Sequence, residues 1–329
     1  MDVKREISRT MRKLVLGRTD LPQACDISLD YPQIEINVRL LGMGVTRDVT
    51  HTHSVACAVP FTFCIGLELS DQNKPGIGRR FTLEFRENQG EGKLLGVITL
   101  KLQATLQVEN HWIGLFEAVE CRNYCISRYR LLAHQFLRKY KQSKGGRANE
   151  LQVSTLDAKC NCIAFICPRP VVLVCVVDGF RGNVFPMNLL GGLGGSYFAF
   201  ALNSKKQTAS LVERLGRLTL STVPLSRSSA VRELGKNHYL DSIPLEELPF
   251  ALQRSGGGVD IPFPQFAIRV VELQVIEVLP LGSHHFFLAK TVGETVNMPG
   301  QEFHMIHGFY AAHRNHCKEY LDYGLPGVI

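Results

Sequence analysis

The chain has one tryptophan in 329 residues and no block of like charge. No apolar run approaches the roughly 18 residues that a membrane-spanning helix needs. The longest, such as "VVLVCVV" at 171–177, have the length of strands. Ten cysteines over this length are too dilute for a disulfide framework, and the N-terminus has no secretory apolar core, which together point to a reducing, cytoplasmic setting. A net charge of +7 favours anionic ligands. Without a basic block or an aromatic-interleaved patch, it does not indicate a nucleic-acid partner. A membrane partner is likewise not expected. With 45% apolar and 20% charged residues, the composition is that of an ordinary globular protein.

At the N-terminus, Val3, Ile7, Met11 and Leu14 recur at helical spacing, while Asp2 and Glu6 argue against a transit peptide. A short surface or docking helix is expected there. A second helical pattern, "ISRYRLLAHQFLRKY" (126–140), together with Lys141 directly after it, puts Arg128, Arg130, Arg138, Lys139 and Lys141 on what reads as a solvated basic face. The polar stretch "RKYKQSKGGRANE" (138–150) then marks a boundary near residue 147, dividing the chain into 1–147 and 148–329.

Both parts are rich in strand patterns. "QIEINVRLL", "FTFCIGLEL", "RRFTLEFREN", "LLGVITLKLQATLQV" and "WIGLFEAVEC" precede the boundary. "NCIAFIC", "VVLVCVVD", "YFAFAL", "RLTLSTV", "FAIRVVELQVIEVLPL" and "HHFFLAKTVGETV" follow it. Helical pattern in the second part is confined mainly to "KQTASLVERLG" and "SSAVRELGKN". Many strands, few helices and no alternation of the two predict a mainly β fold, a closed or partly open antiparallel barrel, preceded by a second β-rich domain.

Residues 178–208 contain six glycines and no acid after Asp178. "GGLGG" (191–195) lacks the Gly-Lys-Ser/Thr of a P-loop and the context of a dinucleotide fingerprint. The order is strand ("YFAFAL"), loop ("NSKKQ") and helix ("TASLVERLG"), which sets Ser204, Lys205, Lys206 and Thr208 at a helix N-terminus. Free N–H groups and the positive end of the helix dipole make that position an anion site. An ordinary N-cap on a basic surface turn gives the same local pattern.

The wider order of segments resembles the FMN-binding split barrel of the flavin-reductase-like family over about residues 160–315. The matching positions are Pro168, Arg169 and Pro170; Asp178 with Gly182; Asn183, Pro186 and Asn188; and Lys206, Gln207 and Thr208. Gly282 with His284 or His285, and "HMIHGFYAAHR", resemble the family's closing strands. The resemblance implies a small antiparallel barrel that pairs, as a homodimer or an internal pseudo-dimer, and holds FMN at the interface. It implies the flavin ring on Met187, Asn188, Leu189 and Leu190, the phosphate on Ser204, Lys205, Lys206 and Thr208, and His285 on the nicotinamide or substrate side, with NAD(P)H as co-substrate. Three positions depart from the family pattern: Asn188, Gln207 and "GGLGGSY". They leave two readings open, a flavin reductase passing hydride between NAD(P)H and flavin, and a split-barrel flavin- or ligand-binding subunit without turnover.

Other constellations are weaker. Cys121, Cys125, Cys160, Cys162 and Cys167 lack the paired C-x2-C spacing of zinc ribbons, and buried thiols are expected. His51 and His53 of "THTH" would share a strand face, but no carboxylate motif accompanies them. His304, His307, His313 and His316 read as pocket or interface histidines, and Ser196 has no G-x-S-x-G context. Residues 1–145 resemble no family. They do echo the second part, where a Pro-led strand precedes two long strands joined at "ENHW" or "GSHH". A degenerate first barrel would then serve as an internal partner that binds no flavin.

Overall fold

The computed structural model describes residues 23–67, 75–90, 92–144, 153–254 and 260–316, without the side chains of 137–144 and 316. The expected N-terminal helix, the side chains of Arg138, Lys139 and Lys141 and the linker around residue 147 lie outside the described residues.

Strand β1 (Cys25–Leu29) leads into β2 (Ile36–Gly42), β3 (Val45–Asp48), β4 (His53–Ala58), β5 (Phe61–Leu67), β6 (Arg80–Glu87), β7 (Leu94–Val108) and β8 (His111–Asn123). Ile36, Val38 and Leu40 of β2 are buried while Arg39 is exposed, and β6 buries Phe81, Leu83 and Phe85 in the same alternation. A period of two sets one face of a strand on a core. All seven residues of β5 are buried. Phe61, Phe63 and Ile65 fill the core beneath the sheet, whereas Cys64 joins Ile113 and Leu115 in a second apolar cluster. Strands β2 to β8 pair antiparallel in the order β3-β2-β6-β7-β8-β5-β4.

Helices α1 (Arg128–Lys144) and α2 (Thr155–Ala164) follow. The strand expected at "NCIAFIC" is instead the end of α2 and the turn after it. Ser154 caps that helix by accepting from the Asp157 N–H, and Ala158, Cys160 and Ile163 form its buried face. Capping and helical periodicity outweigh the β-branched composition of this short run. Next come β9 (Arg169–Pro170), β10 (Val172–Asp178), β11 (Arg181–Met187), β12 (Leu190–Gly194), β13 (Tyr197–Asn203), α3 (Gln207–Leu215) and β14 (Arg217–Thr222). An insertion carries α4 (Ser228–Glu233), a 3-10 turn at Leu234–Tyr239 and short strands β15 (Ile243–Pro244), β16 (Leu252–Gln253) and β17 (Phe263–Pro264). Strands β18 (Arg269–Leu281), β19 (His284–Val296) and β20 (Glu302–Ile306) and helix α5 (Gly308–His316) complete the fold.

The second sheet runs β12-β13-β19-β18-β14-β10-β11-β15. Read from its other end and without β15, this is the first sheet again: β10 stands for β2, β11 for β3, β12 for β4, β13 for β5, β14 for β6, β18 for β7 and β19 for β8. The registers agree as well. The hairpin β7–β8 shifts between Thr99 and Leu100 and between Leu102 and Ala104; β18–β19 shifts between Glu272 and Leu273 and between Val275 and Glu277. The bulge of β4 between Val55 and Cys57 recurs in β12 between Gly192 and Gly194. Val108 faces His111 at one hairpin tip, and Leu281 faces His284 at the other. The fold is therefore two copies of one seven-strand antiparallel unit.

In the second copy, one cluster joins Phe185 and Met187 of β11, near one end of the sheet order, to Phe200 and Leu202 of β13 and Phe287 of β19, near the other. The sheet thus curls around this core, with no ladder closing it into a full barrel among the described residues. The copies meet through β4 and β5 on one side and β12, β13 and β19 on the other; β4 touches β13 as β12 touches β5. Reciprocal contacts of this kind are those of an isologous dimer. Their apolar centre is Ala56, Cys64, Ile113 and Leu115 against Leu193, Tyr197, Ala199, Phe286 and Leu288.

The glycine run 191–195 belongs to this interface. A Cβ on Gly191 would lie 2.7 Å from the His53 carbonyl oxygen, and one on Gly66 would lie 1.9 Å from that of Leu193. These glycines let the backbones of the two copies touch.

Helices α2 and α5 both pack into the first core, through Ile163, Ala164, Phe309 and Tyr310. There the Tyr310 hydroxyl donates to Glu35 (3.1 Å), and Arg314 pairs with the same carboxylate (2.5 Å).

Candidate functional site

Helix α3 starts directly after the loop that leaves β13. Its N-cap residue Lys206 makes no side-chain capping bond, and its first turn contains no acid. The N–H groups there are poised for an anion. Asn203 shapes the loop by accepting from the Lys205 N–H through Oδ1 at 2.9 Å. The Ser204 hydroxyl donates to the Ser283 carbonyl at 3.2 Å, which ties the loop to the turn before His284. Ser204, Lys205 and Lys206 thus gather where the sequence places them, with Ser204 and Lys205 exposed and Lys206 half-buried.

Thr208 is fully buried, and its hydroxyl does not face solvent. His238, from the inserted 3-10 turn, lies over it, with Nδ1 at 3.2 Å from Oγ1 and Nε2 at 2.9 Å from the Pro186 carbonyl. A carbonyl only accepts, so Nε2 carries the proton and Thr208 donates to Nδ1. The next residue, Tyr239, sets its ring 4.3 Å from the Lys206 ammonium. One insertion thus covers both side chains. It also joins the α3 start to β11, the strand that leads into Met187 and Asn188.

Met187 is buried, pairs with Val172 in the ladder and points into the second core. Leu190 likewise pairs with Phe200. The Leu189 carbonyl accepts from the Ala201 N–H, and the Leu189 side chain packs on the first core. Asn188 donates to the Met305 sulfur at 3.7 Å. Beside Met187 and Asn188 is a cavity of about 190 Å³, also bounded by Pro186, Val171, Phe303 and Met305. It is smaller than the ~300–1000 Å³ of sites that enclose drug-sized ligands.

His285 lies against α3, with Nδ1 3.7 Å from Glu213, and is not part of that cavity's wall. His284 faces the first copy, close to Ser283 (2.8 Å) and the Cys57 thiol (3.9 Å). The remaining histidines separate. His51 is exposed, whereas His53 is buried with Nδ1 donating to the Val49 carbonyl at 2.6 Å. His313 binds Glu87 at 2.7 Å, and His304 meets the Glu302 carbonyl at 3.0 Å. His316 lies outside the described side chains.

Burial pushes the His53 pKa down to about 3 and His284 to about 4. Burial, with the nearby Lys206 charge, lowers His238 to about 4. The folded chain holds these rings neutral, while the unfolded chain protonates them below about pH 6.5. Stability is therefore expected to fall as pH drops from about 6.5, with the loss complete near pH 3–4. His53 alone accounts for on the order of 2 kcal/mol at pH 5. Urea unfolding at pH 7.5 and pH 5 checks this, and equal midpoints would contradict it.

No family model matches the sequence, and no curated protein matches it. Solved structures resemble part of it. An FMN-binding protein from Thermus thermophilus with bound 1-cyclohex-2-enone is 23% identical over 40% of this chain and 71% of that chain, with a TM-score of 0.35. A flavoredoxin from Methanosarcina acetivorans is 14% identical over 41% and 76%, at 0.36. The likeness is to FMN-binding and flavin-reductase split-barrel proteins. BorF, the flavin reductase component of a bacterial two-component tryptophan halogenase, is 12% identical over 46% of this chain and 92% of that chain, at 0.38.

Proposed function

We propose that this chain is an FMN-binding, flavin-reductase-like oxidoreductase, with one flavin site, in the second copy, and with the first copy as its built-in partner. The observation that carries the reading is the uncapped, acid-free start of α3, flanked by Ser204, Lys205 and Lys206.

The phosphate end of FMN fits this arrangement, since backbone N–H groups and Lys206 supply charge-assisted donors. A ring entering the 190 Å³ cavity would stay partly exposed, so flavin is held as an exchanging ligand. Bound flavin supplies the hydride chemistry with NAD(P)H, and the protein contributes position and electrostatics. Lys206 and the α3 N-terminus hold the phosphate. Asn188 orients the ring edge, and Leu189 closes the groove against the first copy. The first copy has no Ser-x-Lys-x-Thr sequence between β5 and β6 and binds no flavin itself.

A second reading, a ligand-binding subunit without turnover, is favoured by the seating of His238 on Thr208 and of Tyr239 on Lys206. The absorbance spectrum of the protein after FMN addition and removal of excess tests binding. NAD(P)H oxidation by the same sample then separates the two readings. If the insertion competes with phosphate, His238→Ala is expected to tighten FMN binding several-fold in a fluorescence titration. Weaker binding would instead make His238 a ligand of the phosphate.

A further inference from the structure

The first copy has a cavity that the flavin reading does not use. It lies where the end of β8 meets α1 and α2, and its volume is about 670 Å³. That is within the ~300–1000 Å³ of small-molecule sites. Its described wall contains no aspartate or glutamate, but it does contain Arg122, Arg128 and Lys159. Two neighbouring acids among the described residues are turned away or weakly engaged. Asp157, in the first turn of α2, accepts from the Phe61 N–H at 2.8 Å on the buried side of the helix. Glu120 meets Arg122 at 3.4 Å with the two side chains 61% and 71% exposed, a pairing weak enough to leave the guanidinium available. Ile126, Leu131 and Ile163 add apolar surface to the wall.

We propose that this cavity binds an organic anion with an apolar body, of the class of medium-chain or aromatic carboxylates. Its head sits at Arg122, Arg128 and Lys159, and its body lies against Ile126, Leu131 and Ile163. Cationic and apolar side chains in one wall, with no acid among its described residues, select this amphiphile over a cation or a neutral polar molecule. The Cys121 thiol is also in the wall. It is held below the usual thiol range by a hydrogen bond from Cys160 and, to a smaller degree, by the charge of Lys159.

The probe is 8-anilinonaphthalene-1-sulfonate, an aromatic anion whose fluorescence rises in apolar surroundings, added to the full chain and then displaced with decanoate. The expected result is one saturable site that decanoate empties and FMN does not. Arg128→Glu with Lys159→Glu is expected to weaken it at least tenfold at an unchanged melting temperature. Ala158→Trp, which fills the cavity, is expected to abolish it, while Lys206→Ala leaves it intact. No saturable signal, a signal that survives the charge reversals, or displacement by FMN but not by decanoate would overturn the assignment. None of these results depends on flavin binding by the second copy.

Discussion

Gly66→Val is expected to destabilise the chain by at least about 3 kcal/mol, beyond the ordinary cost of overpacking. The reason is geometric. A Cβ at Gly66 would fall 1.9 Å from the Leu193 carbonyl oxygen, and the obstacle is backbone, not the end of a side chain that could rotate. Relief requires β5 and β12 to separate, which opens the apolar cluster of Cys64, Ile113 and Leu193. At roughly 2–4 °C per kcal/mol for large domains, the melting temperature should drop by about 6–12 °C. Gly235→Ala is the control, because a Cβ there meets nothing within 4 Å. If Gly66→Val melted with the control, the two copies would not be in contact as described.

Lys206→Ala combined with Thr208→Ala is expected to weaken FMN binding at least tenfold, or about 1.4 kcal/mol. Lys206 is the half-buried cation beside the α3 N-terminus, so its loss would remove the charge-assisted contact proposed for the phosphate. Thr208 acts partly through His238, whose Nδ1 it engages, so the single variants should differ. Lys206→Ala should also reduce the salt dependence of binding, whereas Thr208→Ala should leave it nearly unchanged. A flavin fluorescence titration at two salt concentrations measures both effects. Unchanged affinity in the double variant would remove the phosphate from this site.

Much of this architecture is legible in the sequence, and what is not has a physical cause. Strands that bury one face alternate, as in "INVRLLG", and those buried on both faces, "FTFCIGL" and "YFAFALN", read as mostly apolar runs without alternation. The echo of "ENHW" and "GSHH" marks equivalent hairpin tips, since His111 and His284 hold the same register position. The helix that takes up "NCIAFIC" is signalled by Ser154 and Asp157 upstream, a capping pattern that a short apolar run conceals. The glycine run 191–195 matches no phosphate-loop pattern, and nothing beside it in the sequence says what it approaches. Its reason lies in β4 and in the loop at His51–His53, more than a hundred residues earlier in the chain. His238 has no local signature either: it reaches Thr208 only because the insertion between β14 and β18 folds back over α3.

The central claim is that two copies of one fold pair within a chain and that only the second retains a nucleotide-phosphate cradle. The direct test is FMN stoichiometry, measured by equilibrium titration alongside the molecular mass in solution. The predicted result is one flavin per chain, bound at least tenfold more weakly by the Lys206→Ala, Thr208→Ala variant. Two flavins per chain, or one that the double variant binds with unchanged affinity, would contradict it.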